Sequence, residues 1–358
     1  MKITIIGAGA IGGLAGAWMT MAGEDVTLVD RWTEHVEAIR ADGLFIDGLR
    51  GEHRVEIQAT TSDELVGPLG IVFLACKSQD TEEAVKGFRD KLSADDIVVS
   101  LQNGMNEWLI GELVGIERVI GAIPDYGGAL VGPGHIEFVH PGPAYVGELD
   151  GAITPRVQEV QRLLAHLTET ELTTDIVARL WAKQVHMSQV VMTALVDAPI
   201  AQVLQLETAQ HLGISLIAEA ITITDAAGVE LPEGKTIQTG RYRSRTPEDS
   251  RALMHDLNQW ATAMNRHQVE HEQAGEHKYV KQASGMWWDI YYRHRPSETR
   301  WLTGALVEAA DEFGVDAPLN RRTAEMIYEL EEGQRSPGTQ NLDELHAFAT
   351  AKGLLLPA

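Results

Sequence analysis

The chain has 358 residues, 44% of them hydrophobic, more than the ~100–200 of a usual single domain and apolar enough for two cores. Its 29 basic and 52 acidic residues give a formal net charge of -23, a field that argues against nucleic acid and anionic membrane as partners. A single cysteine, Cys76, excludes an intramolecular disulfide framework and a multi-cysteine metal cluster and favours a reducing compartment; its plain reading is a buried strand residue.

From Met1 to about Gly147, short β-branched runs alternate with helical stretches. Ile3–Ile6, Val26–Val29, Ile71–Ala75 and Ile97–Leu101 read as buried strands, an order that predicts a parallel α/β sheet. Glycines and prolines crowd around Pro124, Gly127, Gly128, Gly132, Gly134, Pro141 and Gly142, which predicts a hairpin closing that sheet. After Asp150 the texture turns helical. Thr154 and Pro155 open one helix, and Thr174 and Asp175 are placed to cap the next. The expected division is therefore residues 1–172 and 173–358. Ser297-Glu-Thr-Arg starts a further helix that ends at Gly314 and Pro318. No apolar run reaches the ~18–20 residues of a membrane span, and the first residues read as a strand rather than a signal segment. The expectation is a cytoplasmic protein.

The first strand runs into Gly7-Ala8-Gly9-Ala10-Ile11-Gly12, a G-x-G-x-x-G turn that opens a helix of small residues. Gly7 permits the tight turn, Gly9 lets a pyrophosphate approach the backbone, and Gly12 lets the helix pack on the strand. The helix N-terminus offers free N–H groups and a positive dipole end. A glycine turn alone also serves merely to shape a loop. Here the second strand ends in Asp30, 18 residues beyond Gly12, close to the ~20 at which a carboxylate meets the ribose 2′-hydroxyl. Asp30 favours NAD(H); Arg31, either a solvated loop residue or a partner for a 2′-phosphate, leaves NADP(H) open.

The glycine turn, Ala75-Cys-Lys77-Ser-Gln, Leu101-Gln-Asn103-Gly104-Met105, Leu180-Trp-Ala-Lys183, Ser297-Glu298-Thr-Arg-Trp-Leu-Thr-Gly304 and Gly314-Val-Asp-Ala-Pro318-Leu-Asn320-Arg321 follow one another in order. With them the chain resembles the ketopantoate reductase family almost end to end. The resemblance implies an N-terminal Rossmann domain followed by an all-α domain, with the active site in the cleft between them and a homodimer through the helical domain. It implies that Lys183 is the general acid or base and that Glu298 orients it or binds the substrate hydroxyl. It places Asn103 beside nicotinamide and substrate, and Lys77 near the cofactor and a substrate carboxylate. The chemistry is sound in itself, because hydride addition to a ketone builds alkoxide charge that an ammonium stabilises and then neutralises. Each residue also has a plainer reading: Lys183 as a snorkelling helix lysine, Glu298 as a helix-start acid, Lys77 and Asn103 as strand-end or turn residues.

The pattern departs from the family at the substrate. Four and eight positions after the lysine, where the family presents asparagines, stand Met187 and Val191, which cannot hydrogen-bond a hydroxyl in that way. His186 and Ser188 are the candidate replacements. In Ala283-Ser284-Gly285-Met286-Trp287, Gly285 stands where the family has its second serine; Ser284 remains, and Trp287 with Trp288, Tyr291, Tyr292 and Trp301 lines a bulkier pocket or simply fills a core. Extra residues before Trp287 hold His255, His267, His271 and His277, read as a solvated helix rather than a metal site; the segment would form a lid or a dimer contact. The reading is a nicotinamide-dependent oxidoreductase of a 2-oxo acid or related ketone, or of the matching secondary alcohol. A true 2-dehydropantoate 2-reductase, a non-catalytic nucleotide sensor, which would need no proton donor, and an imine or amine dehydrogenase are the alternatives.

Overall fold

The computed structural model describes residues 1–234, 237–274 and 284–357. They gather into two compact units, one built on Met1–Val177 and the other on Ala178–His271 and the described residues from Ser284 onward. The first unit contains strands β1 (Lys2–Ile6), β2 (Asp25–Asp30), β3 (Leu44–Gly48), β4 (His53–Val55), β5 (Gln58–Thr61), β6 (Ile71–Leu74), β7 (Ile97–Ser100), β8 (Val119–Pro124), β9 (Gly127–Gly132), β10 (His135–His140), β11 (Ala144–Glu148) and β12 (Thr170–Leu172). Its helices are α1 (Ala10–Met21), α2 (Thr33–Asp42), α3 (Thr81–Phe88), α4 (Glu107–Val114) and α5 (Pro155–Leu164).

The main sheet has the order β12-β11-β8-β7-β6-β1-β2-β5, and its pairs are parallel except β11 against β8. The apolar strands are buried on both faces: Ile3 and Ile5 of β1 join one core and Ile6 the other, as expected where helices cover both sides of a parallel sheet. The strand order reverses at β1, which pairs in parallel with β2 on one side and β6 on the other. Ligands of such sheets bind at that switch point, beyond the carboxyl ends of the strands.

The hairpin differs from the sequence expectation. β9 and β10 do not close the main sheet; they form a second, four-stranded sheet in the order β4-β3-β10-β9. β10 runs parallel to β3, with His135 opposite Phe45 and Ile136 opposite Ile46. The main sheet is instead extended by β11 and β12. Thr154 caps α5 as expected, its hydroxyl accepting the Val157 N–H at 3.3 Å. At the next helix the hydroxyl engaged is that of Thr173, which accepts the Asp175 N–H at 3.1 Å.

The second unit is built from α6 (Ile176–Met192), which crosses the division, and α7 (Ile200–Leu204), α8 (Glu207–Ala226), α9 (Thr239–Ser244), α10 (Pro247–Ala274), the single turn α11 (Gly285–Trp287), α12 (Thr303–Phe313), α13 (Pro318–Glu331) and α14 (Gln340–Lys352). α8 is apolar on most of its circumference and forms the centre of the core with Leu212, Leu216 and Ile223. Its Glu219 accepts the Leu319 and Asn320 N–H groups at 3.0 and 2.7 Å and so caps α13, where a carboxylate favours the positive helix end. Gly314 closes α12 at φ 68°, a left-handed position that glycine adopts without steric cost.

Candidate active site

Each glycine of the turn meets a different steric demand. Gly7 has φ 98°, and a Cβ there would lie 2.6 Å from the Cys76 nitrogen. A Cβ on Gly12 would lie 2.1 Å from the Gly7 carbonyl oxygen, whereas one on Gly9 would meet nothing within 4 Å. Gly9 therefore opens onto free space at the start of α1, whose first turn holds no acidic residue. Ala8, Ala10 and Ile11 complete the turn.

Asp30 closes the turn from β2. One carboxylate oxygen accepts the Ala8 N–H at 2.8 Å and the other the Trp32 N–H at 2.9 Å. Arg31 follows directly after the end of β2. Its guanidinium donates to both oxygens of Asp80 at 3.0 and 3.1 Å.

Lys77 and Asn103 lie past the ends of neighbouring strands β6 and β7. The Ser78 hydroxyl, buried, donates to the Asn103 carbonyl at 2.5 Å, and Asn106 Nδ2 donates to that carbonyl at 2.8 Å and to Ser78 Oγ at 3.1 Å. Gln102 Nε2 ties the Cys76 carbonyl to the Thr81 hydroxyl at 2.9 and 2.8 Å. The two loops are thus one bonded unit. Ser78 and Gln102 sit inside runs that carry the family resemblance, but nothing local marks them or Asn106 as the bonds that join the two loops, because short polar residues after a strand read as turn chemistry. Within the first unit, the predicted cofactor residues share the carboxyl ends of adjacent strands.

In the second unit Lys183 is half-buried on α6. Its neighbour Gln184, 2% exposed, donates Nε2–H to the Trp301 carbonyl at 2.9 Å, fastening α6 to the 3₁₀ turn Glu298–Trp301. Glu298 is itself 2% exposed. The turn is secured on its other side by Glu331, which accepts the Ser297 N–H at 2.9 Å and hydroxyl at 2.6 Å. Burial pushes the Glu331 carboxyl above its ordinary range, against the lowering effect of the two Ser297 bonds. His186 meets Trp260 of α10 edge-on at 6.1 Å, and Gln189 Nε2 lies 3.3 Å from its Nδ1. The Lys183 stripe of α6 therefore runs between the Glu298 turn and α10.

The remaining candidates are placed differently. Ser188 is fully buried and donates to the Val185 carbonyl at 2.7 Å, a bond within its own helix that faces it away from the Lys183 stripe. Ser284 caps α11, accepting the Trp287 N–H at 3.2 Å. Trp287 donates Nε1–H to Asp197 at 2.7 Å and stands edge-on to Trp288 at 5.5 Å. Tyr291 donates to the Ala194 carbonyl at 2.6 Å. Val191 is fully buried, and Met187 packs on the core. His255 lies on α10, where Gln259 Nε2 approaches it at 2.8 Å. The side chains of His267 and His271, and the whole of His277, lie outside the described residues.

Comparison with known proteins decides the family. The model of ketopantoate reductase PanE/ApbA matches residues 3–151, and that of its C-terminal domain residues 175–331. The chain belongs to the ketopantoate reductase family. The 2-dehydropantoate 2-reductase of Archaeoglobus fulgidus is 26% identical over 337 residues, covering 93% of this chain and 98% of the relative. That of Pyrococcus horikoshii is 29% identical over 326 residues, covering 89% and 94%. Among solved structures, a D-mandelate dehydrogenase bound to NADH and anilino(oxo)acetate superposes with a TM-score of 0.77 at 19% identity, covering 93% of this chain and 99% of that one. A ketopantoate reductase from Ralstonia eutropha superposes with a TM-score of 0.76 at 23% identity, covering 94% and 100%. These two share the fold of this family member. It is an NAD(P)-dependent oxidoreductase acting on CH–OH groups, with the N-terminal Rossmann domain and helical C-terminal region expected from its sequence. Among the described residues, no helix is long and apolar enough to cross a membrane.

Proposed function

We propose that the chain interconverts a 2-oxo acid or related ketone and its secondary alcohol, preferring NAD(H), with Lys183 as the proton donor and acceptor. The observation that carries this reading is the fastening of the Lys183 helix to the Glu298 turn by Gln184. It places a cation and a buried carboxylate on two elements braced against each other. As hydride reaches the carbonyl carbon, Lys183 stabilises the growing charge on oxygen and passes a proton to it; in reverse it takes the proton back. Glu298 orients Lys183 or binds the substrate hydroxyl.

The residues present fit a dinucleotide. Gly9 leaves open space at the start of α1, where the free N–H groups would meet a pyrophosphate with the positive helix end behind them. Asp30 keeps spare lone pairs for the ribose hydroxyls, which supports NAD(H). The position of Lys77 and Asn103 past the carboxyl ends of adjacent strands supports roles beside the substrate carboxylate and the nicotinamide. When bound, the nicotinamide supplies or accepts the hydride. On the substrate side, Met187 in place of a hydrogen-bonding residue favours an acid with a side chain unlike pantoate's, with His186 as the polar contact.

The test is to titrate NADH and NADPH separately by fluorescence and then screen 2-oxo acids with the tighter nucleotide, with Lys183→Ala in parallel. The relatives' name makes 2-dehydropantoate the first acid to try. The expected result is tighter NADH and a loss of about 10²–10⁴ in turnover for the variant. Normal turnover by the variant would remove Lys183 from its role, and binding of neither nucleotide would end the reading. Efficient use of 2-dehydropantoate would select the 2-dehydropantoate 2-reductase alternative.

A further inference from the structure

We infer that Asp80 is a determinant of nucleotide choice: it holds the Arg31 guanidinium away from the 2′ position of the adenosine ribose. The inference rests on the nucleotide occupying the glycine turn as proposed above. Three observations carry it.

The first is geometric. Both Arg31 terminal nitrogens are engaged by both Asp80 oxygens, at 3.0 and 3.1 Å, the paired fork geometry that fixes a guanidinium in direction as well as distance. The pair joins the end of β2 to the turn after β6, on either side of the switch point.

The second concerns what Asp80 forgoes. It occupies the N-cap position of α3, where an aspartate ordinarily accepts an N–H of the first turn. Its side chain makes no cap bond and turns to Arg31 instead.

The third is charge. Asp30 is fixed at the turn by Ala8 and Trp32, so Asp30, Arg31 and Asp80 together present one net negative charge. A 2′-phosphate, bearing roughly -1.5 to -2 at neutral pH, meets that charge instead of a free guanidinium. The ion pair is exposed, with side-chain accessibilities of 61% and 21%, and exposed pairs yield to competing anions. The consequence is a graded preference for the unphosphorylated ribose rather than complete exclusion.

The experiment is a titration of the full chain and its Asp80→Asn variant with NADH and with NADPH. Asparagine is a good N-cap residue, so α3 is retained, and an unchanged Tm verifies it. Asp80→Asn is expected to tighten NADPH about tenfold and leave NADH within twofold. Adding Arg31→Ala to that variant is expected to erase the gain. Unchanged NADPH affinity, an equal shift for both nucleotides, or a gain that survives Arg31→Ala would overturn the inference. If the wild-type chain binds neither nucleotide, the cofactor reading falls and this inference with it; if it binds NADH and Asp80→Asn changes nothing, only the role of Asp80 is lost.

Discussion

His35 donates its Nε2–H to the carbonyl oxygen of Ala8 across 2.9 Å, while its Nδ1 accepts the Gly134 N–H at 2.9 Å. The roles follow from the partners, because a carbonyl can only accept and a backbone N–H can only donate; the ring is the neutral Nε2–H tautomer. With the Ala8 N–H on Asp30 and its carbonyl on His35, both peptides flanking Ala8 are fixed. In a planar trans peptide the N–H opposes the C=O, so the Gly9 N–H is aimed away from His35.

Replacing His35 by leucine is therefore expected to cost about 1–3 kcal/mol for the buried backbone groups left unpaired and to weaken NADH at least tenfold. Glutamine can donate and accept at its two ends and is expected to restore part of both. Urea unfolding and NADH titration of the two variants check this; a leucine variant that binds NADH as tightly as wild type would contradict it.

Gly9 and Gly12 separate binding from folding. A Cβ on Gly9 meets nothing within 4 Å, and one on Gly12 meets the Gly7 carbonyl oxygen at 2.1 Å. Gly9→Ala is expected to keep its Tm while nucleotide affinity falls at least tenfold, because the methyl takes phosphate space. Gly12→Ala is expected to lose roughly 1–3 kcal/mol or more of stability, since the Gly7 carbonyl it meets is backbone and the Ala75 Cβ, at 2.9 Å, has no rotamer by which to yield. Equal melting temperatures for the two variants would refute the division of roles.

These residues show what the sequence made legible. The glycine turn and Asp30 could be read because each meets a local backbone demand at a fixed spacing. His35 could not: in Thr-Glu-His-Val it looks like an ordinary first-turn helix residue, and its partner Gly134 is 99 residues away. The second sheet was hidden for the same reason. β3 and β4 are short, and nothing in their own pattern announces a parallel pairing of Ile46 with Ile136. On α6 the spacing from Lys183 located the stripe, but Ser188 turned inward to Val185, a local bond that a serine in a helix always has available.

Glu331 gives a pH dependence near the candidate site. Burial raises its carboxyl above the ordinary range, so the folded state holds a proton more tightly than the unfolded chain. The stability this contributes is fully present below the ordinary carboxylate range and is lost as pH rises through the raised value. Glu331→Gln keeps an acceptor for Ser297 and removes the charge. It is expected to match wild type or exceed it in Tm at pH 8, with the difference shrinking or reversing at pH 4. Glu331→Ala, which also removes the acceptor, is expected to lose about 1–2 kcal/mol and to lower turnover by loosening the Glu298 turn. A glutamine variant less stable than wild type at pH 8 would show that the charged form is the one the fold favours.

Glu344 on α14 works in the opposite direction. Its bonds to Arg335 and Arg322, at 2.7 and 2.9 Å, hold α14 to α13 and the residues that follow it. The Arg335 bond is the largest cause that draws the Glu344 carboxyl down to about 2, against a smaller effect of burial and with help from Arg322. A depressed folded value means that the contribution is present above the unfolded carboxylate range, near ~4.3, and is lost as pH falls from there toward about 2. The side chain is 47% exposed, and solvent screening limits the network's worth to about 1 kcal/mol. Glu344→Gln should therefore be about that much less stable than wild type at pH 7, with most of the gap gone by pH 2, as measured by urea midpoints. A constant gap at both values would mean that packing, not charge, joins the two helices.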